Sequence, residues 1–440
     1  MTFAPLTALR DLLRHRRGNV MMLFALALPV MTFSIGMGVD YARAMKAQTK
    51  LNAIADAAAL LAVSKTMMKQ SDSTAISYAR SMFQTQSAAL TDIGDVTLSS
   101  LTVSAPTNSN GQRSASVSYV ARSNNVFAAI LGVDTLTISG KSATMNVLAP
   151  DIDFYMLLDV SGSMALPTTS AGLQKVANSN SKGCKFACHS LKDPTTGIDA
   201  NGMKTDLYGV AKSYGLTLRI DDEGTAVSKL TQNATDTSSK NGANYQIAIA
   251  TFRGKGGYSV IQSKTGDMAA AARTTKNLTP SLFYANGCPT LACKSSEVGY
   301  GDRDSAHSDA MDQMNGTITT PGTGVNGAAP QGVLFIITDG MRDEFRPGGR
   351  PEAQIDTTKC DAIKARGVRI AILYTEYLPQ SLDGDSWSQQ NVKPYLYRVE
   401  PALQACASAG LYTKVTTDQD IYTALDALFQ NAVATARITG

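Results

Sequence analysis

The run IDFYMLLDVSGSM, Ile152 to Met164, is near-continuously apolar and then ends abruptly in Asp159, Ser161 and Ser163. A short apolar run of this kind predicts a strand buried on both faces, as at the centre of a parallel α/β sheet. The polar residues then stand at its carboxyl end, where open α/β sheets bind ligands. One carboxylate and two hydroxyls at alternating positions offer hard oxygens to a small divalent cation. Mg²⁺ suits such a site, because it takes octahedral oxygen ligands and keeps several waters. The plain reading of the same residues is a helix N-cap and a turn.

Little else in the chain offers catalytic chemistry. HExxH, GxSxG and a phosphate-binding glycine loop are all missing, and the histidines are His15, His189 and His307. A metal-assisted hydrolase is therefore the weaker alternative to a binding role. The net charge is only +4, with Lys and Arg dispersed, so nucleic acid is not expected as a partner.

The elements that would position Asp159 fall in a region from 151 to 440. Apolar runs at 245–252, 258–262, 333–338, 368–374 and 411–415 read as further strands, and helical segments fall between most of them: 206–230, 304–314, 358–366 and 419–429. Strands alternating with helices predict a doubly wound, mainly parallel α/β sheet. The short RGKGG link at 253–257 predicts a hairpin and one antiparallel edge strand. Insertions at 168–205 and 279–331, rich in Gly, Ser, Thr, Asn and Pro, leave from the ligand side of the sheet. Upstream, 95–150 alternates with period two around a short VFAAILG helix, which predicts a small β-rich module.

The amino terminus divides into a basic tail, 1–18, an uncharged segment, 19–39, and a helical region, 40–94. At about 1.5 Å per residue the uncharged segment spans a hydrocarbon core of roughly 30 Å. Arg10, Arg14, Arg16 and Arg17 before it predict a cytoplasmic amino terminus and an exported main domain held by a single membrane anchor. A cleaved signal peptide is the alternative. Beyond Asp40 the span is expected to continue as an amphipathic rod, with Leu51, Ile54, Ala55, Ala58 and Leu61 at helical spacing. All the cysteines lie beyond the span, which agrees with an oxidising compartment. The expected pairs are Cys184 with Cys188, Cys288 with Cys293, and Cys360 with Cys406. A zinc site on Cys184, Cys188 and His189 is the alternative for the first of these.

DVSGSM resembles the DxSxS signature of von Willebrand factor type A domains. The resemblance implies a metal-ion-dependent adhesion site for Mg²⁺ or Mn²⁺, with a second loop supplying a hydroxyl and a third an Asp. VLFIITDG supplies Asp339 for the third; DRDSAHSDAM places Ser305 in the second, with Asp302 and Asp304 as rival donors. The segment from RRG through Asp40-Tyr41 to the alanine-rich ADAAALLA resembles the amino-terminal region of TadE/TadG-like proteins of tight-adherence (Flp) pilus systems. That resemblance implies a non-enzymatic assembly or adhesion component anchored in a bacterial inner membrane, whose protein partners are other pilus-assembly or pseudopilin subunits. The alternative within it is a structural protein with a vestigial metal site. Leu23 stands where a prepilin processing site would want Glu, which speaks against polymerisation as a true pilin.

Overall fold

The computed structural model describes residues 16–91, 95–185, 196–254, 256–280, 305–344, 353–376, 379–383, 385–416 and 418–436. The chain forms two compact units, 1–148 and 149–440.

Unit 1 begins with helix α1, Arg16–Ala62, which is 47 residues long and contains Pro29. It is the helix, among the described residues, long and apolar enough to cross a membrane. Almost every side chain from Val20 to Ile35 is exposed, whereas Gly36, Asp40, Ala44, Ala47, Leu51, Ala55, Ala58 and Ala62 are buried. The second set recurs at three- and four-residue spacing, which puts it on one helix face. That face lies on an antiparallel sheet of β1 (Val96–Ser104), β2 (Gln112–Asn124) and β3 (Thr135–Val147), in that order. Val117, Tyr119, Ala121 and Ile138 share its core. The alanine stripe thus finds its partner within unit 1, and small side chains let the helix approach the sheet closely.

The expected rod is interrupted. The short helix α2 (Lys65–Met68) and helix α3 (Asp72–Thr91) follow, and α3 packs back against α1. Neither Pro nor Gly makes the bend; serines do. Ser64 Oγ accepts from the Met67 amide and Ser71 Oγ from the Thr74 amide, each capping a new helix start. Buried Arg113 on β2 then fastens the bend, donating to the carbonyls of Met67 and Gln70 and to Asp72.

Unit 2 is built on a sheet ordered β11–β10–β9–β4–β7–β8. The central strand β4 is Ile152–Asp159; a small hairpin of β5 (Gly197–Ile198) and β6 (Lys204–Thr205) precedes β7 (Tyr245–Phe252) and β8 (Ser259–Thr265). Strands β9 (Gln331–Thr338), β10 (Arg369–Thr375) and β11 (Tyr412–Val415) complete it. All neighbours run parallel except β7 and β8, so the antiparallel edge falls where the 253–257 link predicts it.

Both sheet faces are covered. Phe154, Met156 and Leu158 of β4 enter one core with Val333, Phe335 and Ile337 of β9; Tyr155 and Leu157 enter the opposite core with Leu334 and Ile336. Period-two strands covered on both sides read as unbroken apolar runs, hence IDFYMLLD and GVLFIIT. Among the described residues the α-helices are α4 (Ser170–Asn178), α5 (Leu207–Ser213), α6 (Arg219–Asn241), α7 (Met268–Thr275), α8 (His307–Thr317), α9 (Thr357–Lys364), α10 (Ser386–Asn391), α11 (Leu396–Cys406) and α12 (Ile421–Ala436). The helix expected over 206–230 is two helices, because Gly215 takes a left-handed conformation (φ +63°) after α5 and the chain restarts at Arg219. Cys360 of α9 and Cys406 of α11 form the expected disulfide. The sheet order, with helices on both faces, is that of a von Willebrand factor A-like α/β fold.

Candidate functional site

The strand order reverses between β4 and β9: β7 continues to one side of β4, while β9, β10 and β11 lie on the other. A crevice at such a switch point, at the strands' carboxyl ends, is where this class of sheet binds ligands. β4 ends in Asp159 and β9 is followed directly by Asp339, with Leu158 opposite Ile337 in register. The turn after Asp339 requires Gly340, whose φ is +81° and whose Cβ position would fall 2.5 Å from Val399.

Hydrogen bonds tie the loops together. The Ser161 amide donates to Asp159 Oδ1 at 3.0 Å, and the hydroxyls of Ser161 and Ser163 lie 3.1 Å apart. Thr338 Oγ1 donates to Asp159 Oδ2 at 2.7 Å, and it accepts from the Gly340 amide. His307 Nε2 stands 3.0 Å from the same hydroxyl. With the Thr338 proton committed to Asp159, Nε2 must carry the imidazole proton, a tautomer assigned from the network. The ring is buried, its edge against Phe252, and burial pushes its pKa down despite nearby Asp339 and Glu344. It is a neutral positioning group.

The second loop is zipped to the third. Ser305 and Asp343 exchange backbone hydrogen bonds, and Glu344 accepts from both the amide and the hydroxyl of Ser308. Ser305 is thereby fixed two residues before His307, which reaches Thr338. Asp302, Asp304, Cys188, His189, Cys288 and Cys293 lie outside the described residues. Cys184 is disulfide-bonded, which removes it as a zinc ligand.

Two further charged residues at the site come from α6, and the sequence reading missed both. Arg219 approaches Asp339 at 3.7 Å and donates to the Glu376 carbonyl. Glu223, one turn on, is wholly buried, and neither carboxyl oxygen meets a donor of normal hydrogen-bond geometry; the Asp159 amide is the backbone donor that biases it. Burial first, then the charges of Asp159 and Asp339, push its pKa well above the ordinary glutamate value. The signal was present in the sequence. Arg219 and Glu223 sit on the same helical stripe as Ile220, Val227 and Leu230, so two charges occupy core positions of an amphipathic helix.

The oxygen-bearing side chains on these loops and on α6 are the carboxylates Asp159, Asp339 and Glu223 and the hydroxyls of Ser161, Ser163 and Ser305, although among the described residues no group of three or more His, Cys, Asp or Glu is placed to hold a metal ion. All are hard oxygens, and a buried carboxyl with poor hydrogen bonding is the group a cation would satisfy. The residues fit Mg²⁺ or Mn²⁺ better than a soft metal. They are also closed off: exposure is 0% for Asp159, Ser161, Asp339 and Glu223, 5% for Ser163 and 4% for Ser305.

Residues 18–65 match the family model for the Flp pilus-assembly TadE/G-like region. Among curated proteins none matches the sequence. Of solved structures, the von Willebrand factor domain of the type V pili tip protein Mfa5 from Porphyromonas gingivalis is 10% identical with a TM-score of 0.35, covering 67% of this chain and 97% of that one. A conserved hypothetical protein, BatB from Bacteroides thetaiotaomicron, is 14% identical with a TM-score of 0.33, over 64% and 99%. Proximal thread matrix protein 1 from the mussel byssus, with a zinc-occupied MIDAS motif, is 12% identical with a TM-score of 0.32, over 66% of this chain and 46% of that one. The present chain thus spans about half the length of the byssus protein.

Proposed function

We propose that this protein is a membrane-anchored, non-enzymatic component of Flp (Tad) pilus assembly or adhesion, and that unit 2 engages a protein partner through a divalent cation. α1 is the anchor, with the basic tail cytoplasmic and unit 2 on the far, periplasmic side. Asp159, Ser161, Ser163, Ser305 and Asp339 are the proposed ligands, and Mg²⁺ or Mn²⁺ the proposed ion. When bound, the ion supplies an open coordination position for an acidic side chain of another pilus subunit. The carrying observation is the hydrogen bond from Thr338 to Asp159, which couples the carboxyl ends of the two strands that bear the acidic loops.

Within the chain each residue has a task. Asp159 organises its own loop by accepting from the Ser161 amide, and His307 holds the Thr338 hydroxyl toward Asp159. Arg219 partly offsets the charge of Asp339. Burial of every proposed ligand favours a second reading, a resident ion that only stiffens the fold, since a partner's carboxylate reaches the ion only after the loops move apart. One experiment separates the two. Calorimetric titration of the purified protein with MgCl₂ or MnCl₂ should show one site that Asp159→Ala abolishes. If Asp159→Ala leaves pilus assembly and surface attachment intact although the site is lost, the resident-ion reading stands and the adhesive one falls. No heat of binding in the wild type would discard both.

A further inference from the structure

The loop between β2 and β3 exposes a cluster of large apolar side chains. Val126, Phe127, Ile130, Leu131 and Val133 are 55, 37, 69, 54 and 53% exposed, and no charged residue occurs from Val126 to Val133. Soluble surfaces rarely gather so many large apolar side chains without an occupant.

The position of the loop identifies that occupant. Phe127 packs against α1 at Gly36, where an added Cβ would fall 2.5 Å from the ring. Asp40 of α1, itself buried, accepts from the amides of Val126, Phe127 and Ala128 at 2.9, 2.9 and 2.8 Å. Gly36 and Asp40 bracket the carboxyl end of the uncharged segment, within about 6 Å along the axis at 1.5 Å per residue. The loop is therefore clamped beside the helix at the level where an inserted α1 leaves the hydrocarbon. Its backbone is prepared for a dry setting: Ile130 donates to the Phe127 carbonyl, Gly132 to Ala129 and Val133 to Ala128, and the Asn125 side chain donates to the Val133 carbonyl. Internal satisfaction of this kind is what a lipid-facing segment needs.

We infer that the Val126–Val133 loop is a second membrane contact, which dips into the interfacial layer of the leaflet where α1 emerges. It rests on the reading of α1 as a membrane span. Two anchor points, one helix and one loop joined through Asp40, fix the rotation of unit 1 about the helix axis as well as its height above the bilayer.

The test uses the full chain in phosphatidylethanolamine/phosphatidylglycerol liposomes, with Trp387→Phe removing the single native tryptophan. Ile130→Trp is introduced in one variant, Val133→Trp in a second and Leu26→Trp in a third. Lipids brominated high on the acyl chain should quench the Ile130 and Val133 probes at least twofold, and deeply brominated lipids should quench the Leu26 probe. Loop probes that stay unquenched while the Leu26 probe is quenched overturn the inference and leave the span standing. Unquenched emission at all three positions removes the spanning reading itself. Loop emission that is unquenched and shifts to the blue as protein concentration rises assigns the patch to a second copy, which also overturns the lipid contact.

Discussion

Asp40 in unit 1 and Glu223 in unit 2 are both carboxyl groups on apolar helix faces, and their surroundings are opposite. Asp40 meets three backbone amides at the start of a single 3₁₀ turn. Burial alone would raise its pKa, but those donors and Arg43 outweigh it and hold the carboxyl below the ordinary aspartate range. Glu223 has no such set, and two further carboxylates face it. A buried acid whose oxygens are all used is part of the architecture. One left with a single biasing backbone donor, next to other acids, is kept at a cost to stability, and the proposed cation would offset it.

The largest effect that would break this contrast is on metal binding. Glu223→Gln should weaken Mg²⁺ affinity by on the order of ten- to a hundredfold while raising the denaturant midpoint of the metal-free protein, since a neutral amide is cheaper to bury than a carboxylate. A lower midpoint together with unchanged affinity would place Glu223 with Asp40 as an architectural acid.

Next in size, Asp40→Ala strands three backbone amides. Limited proteolysis at the Val126–Val133 loop should accelerate by about tenfold, the equivalent of about 1.4 kcal/mol of local opening. Asp40→Asn, which keeps one acceptor oxygen, should fall between.

The two units should also respond to pH with opposite signs. A carboxyl held below its unfolded value adds stability above that value and loses it as pH falls, so unit 1, with Asp40 and hydrogen-bonded Asp72, should loosen on acidification below about 4. For Asp72, too, burial would raise the pKa, and Thr107 with Arg113 outweighs it. Glu223 is raised, so the folded state holds more protons than the unfolded one above pH 4.5, and metal-free unit 2 should lose stability as pH rises. Amide hydrogen exchange resolved by unit reads both, and parallel trends would contradict the contrast.

A further effect, of similar size, is expected at the loop tie. Thr338→Val removes the hydroxyl shared by Asp159, His307 and Gly340 and should cost about 1–3 kcal/mol by chemical denaturation.

Much of this was legible in advance. The apolar strands closing in Asp159 and before Asp339 announced a doubly wound sheet, because strands covered on both faces leave an unbroken apolar signature. The antiparallel edge followed from the glycine-rich 253–257 link, and the Cys360–Cys406 bond is as expected. The bend at 63–71 was not legible, since a serine can cap a helix or ride on its surface, and tertiary partners such as Arg113 decide which. Glu223 was passed over for a related reason: a charge on an apolar stripe is visible, but the two aspartates facing it come from strands far away in sequence.

The covalent bond between Cys360 and Cys406 closes a loop 46 residues long, a constraint worth about 4 kcal/mol to a folded chain. Such a bond persists only where thiols are oxidised. A newly made chain in a reducing compartment lacks this lock, and a polypeptide not yet locked is the form that can still be threaded across a bilayer. If the chain is exported as proposed, the bond forms after the crossing and locks α9 to α11.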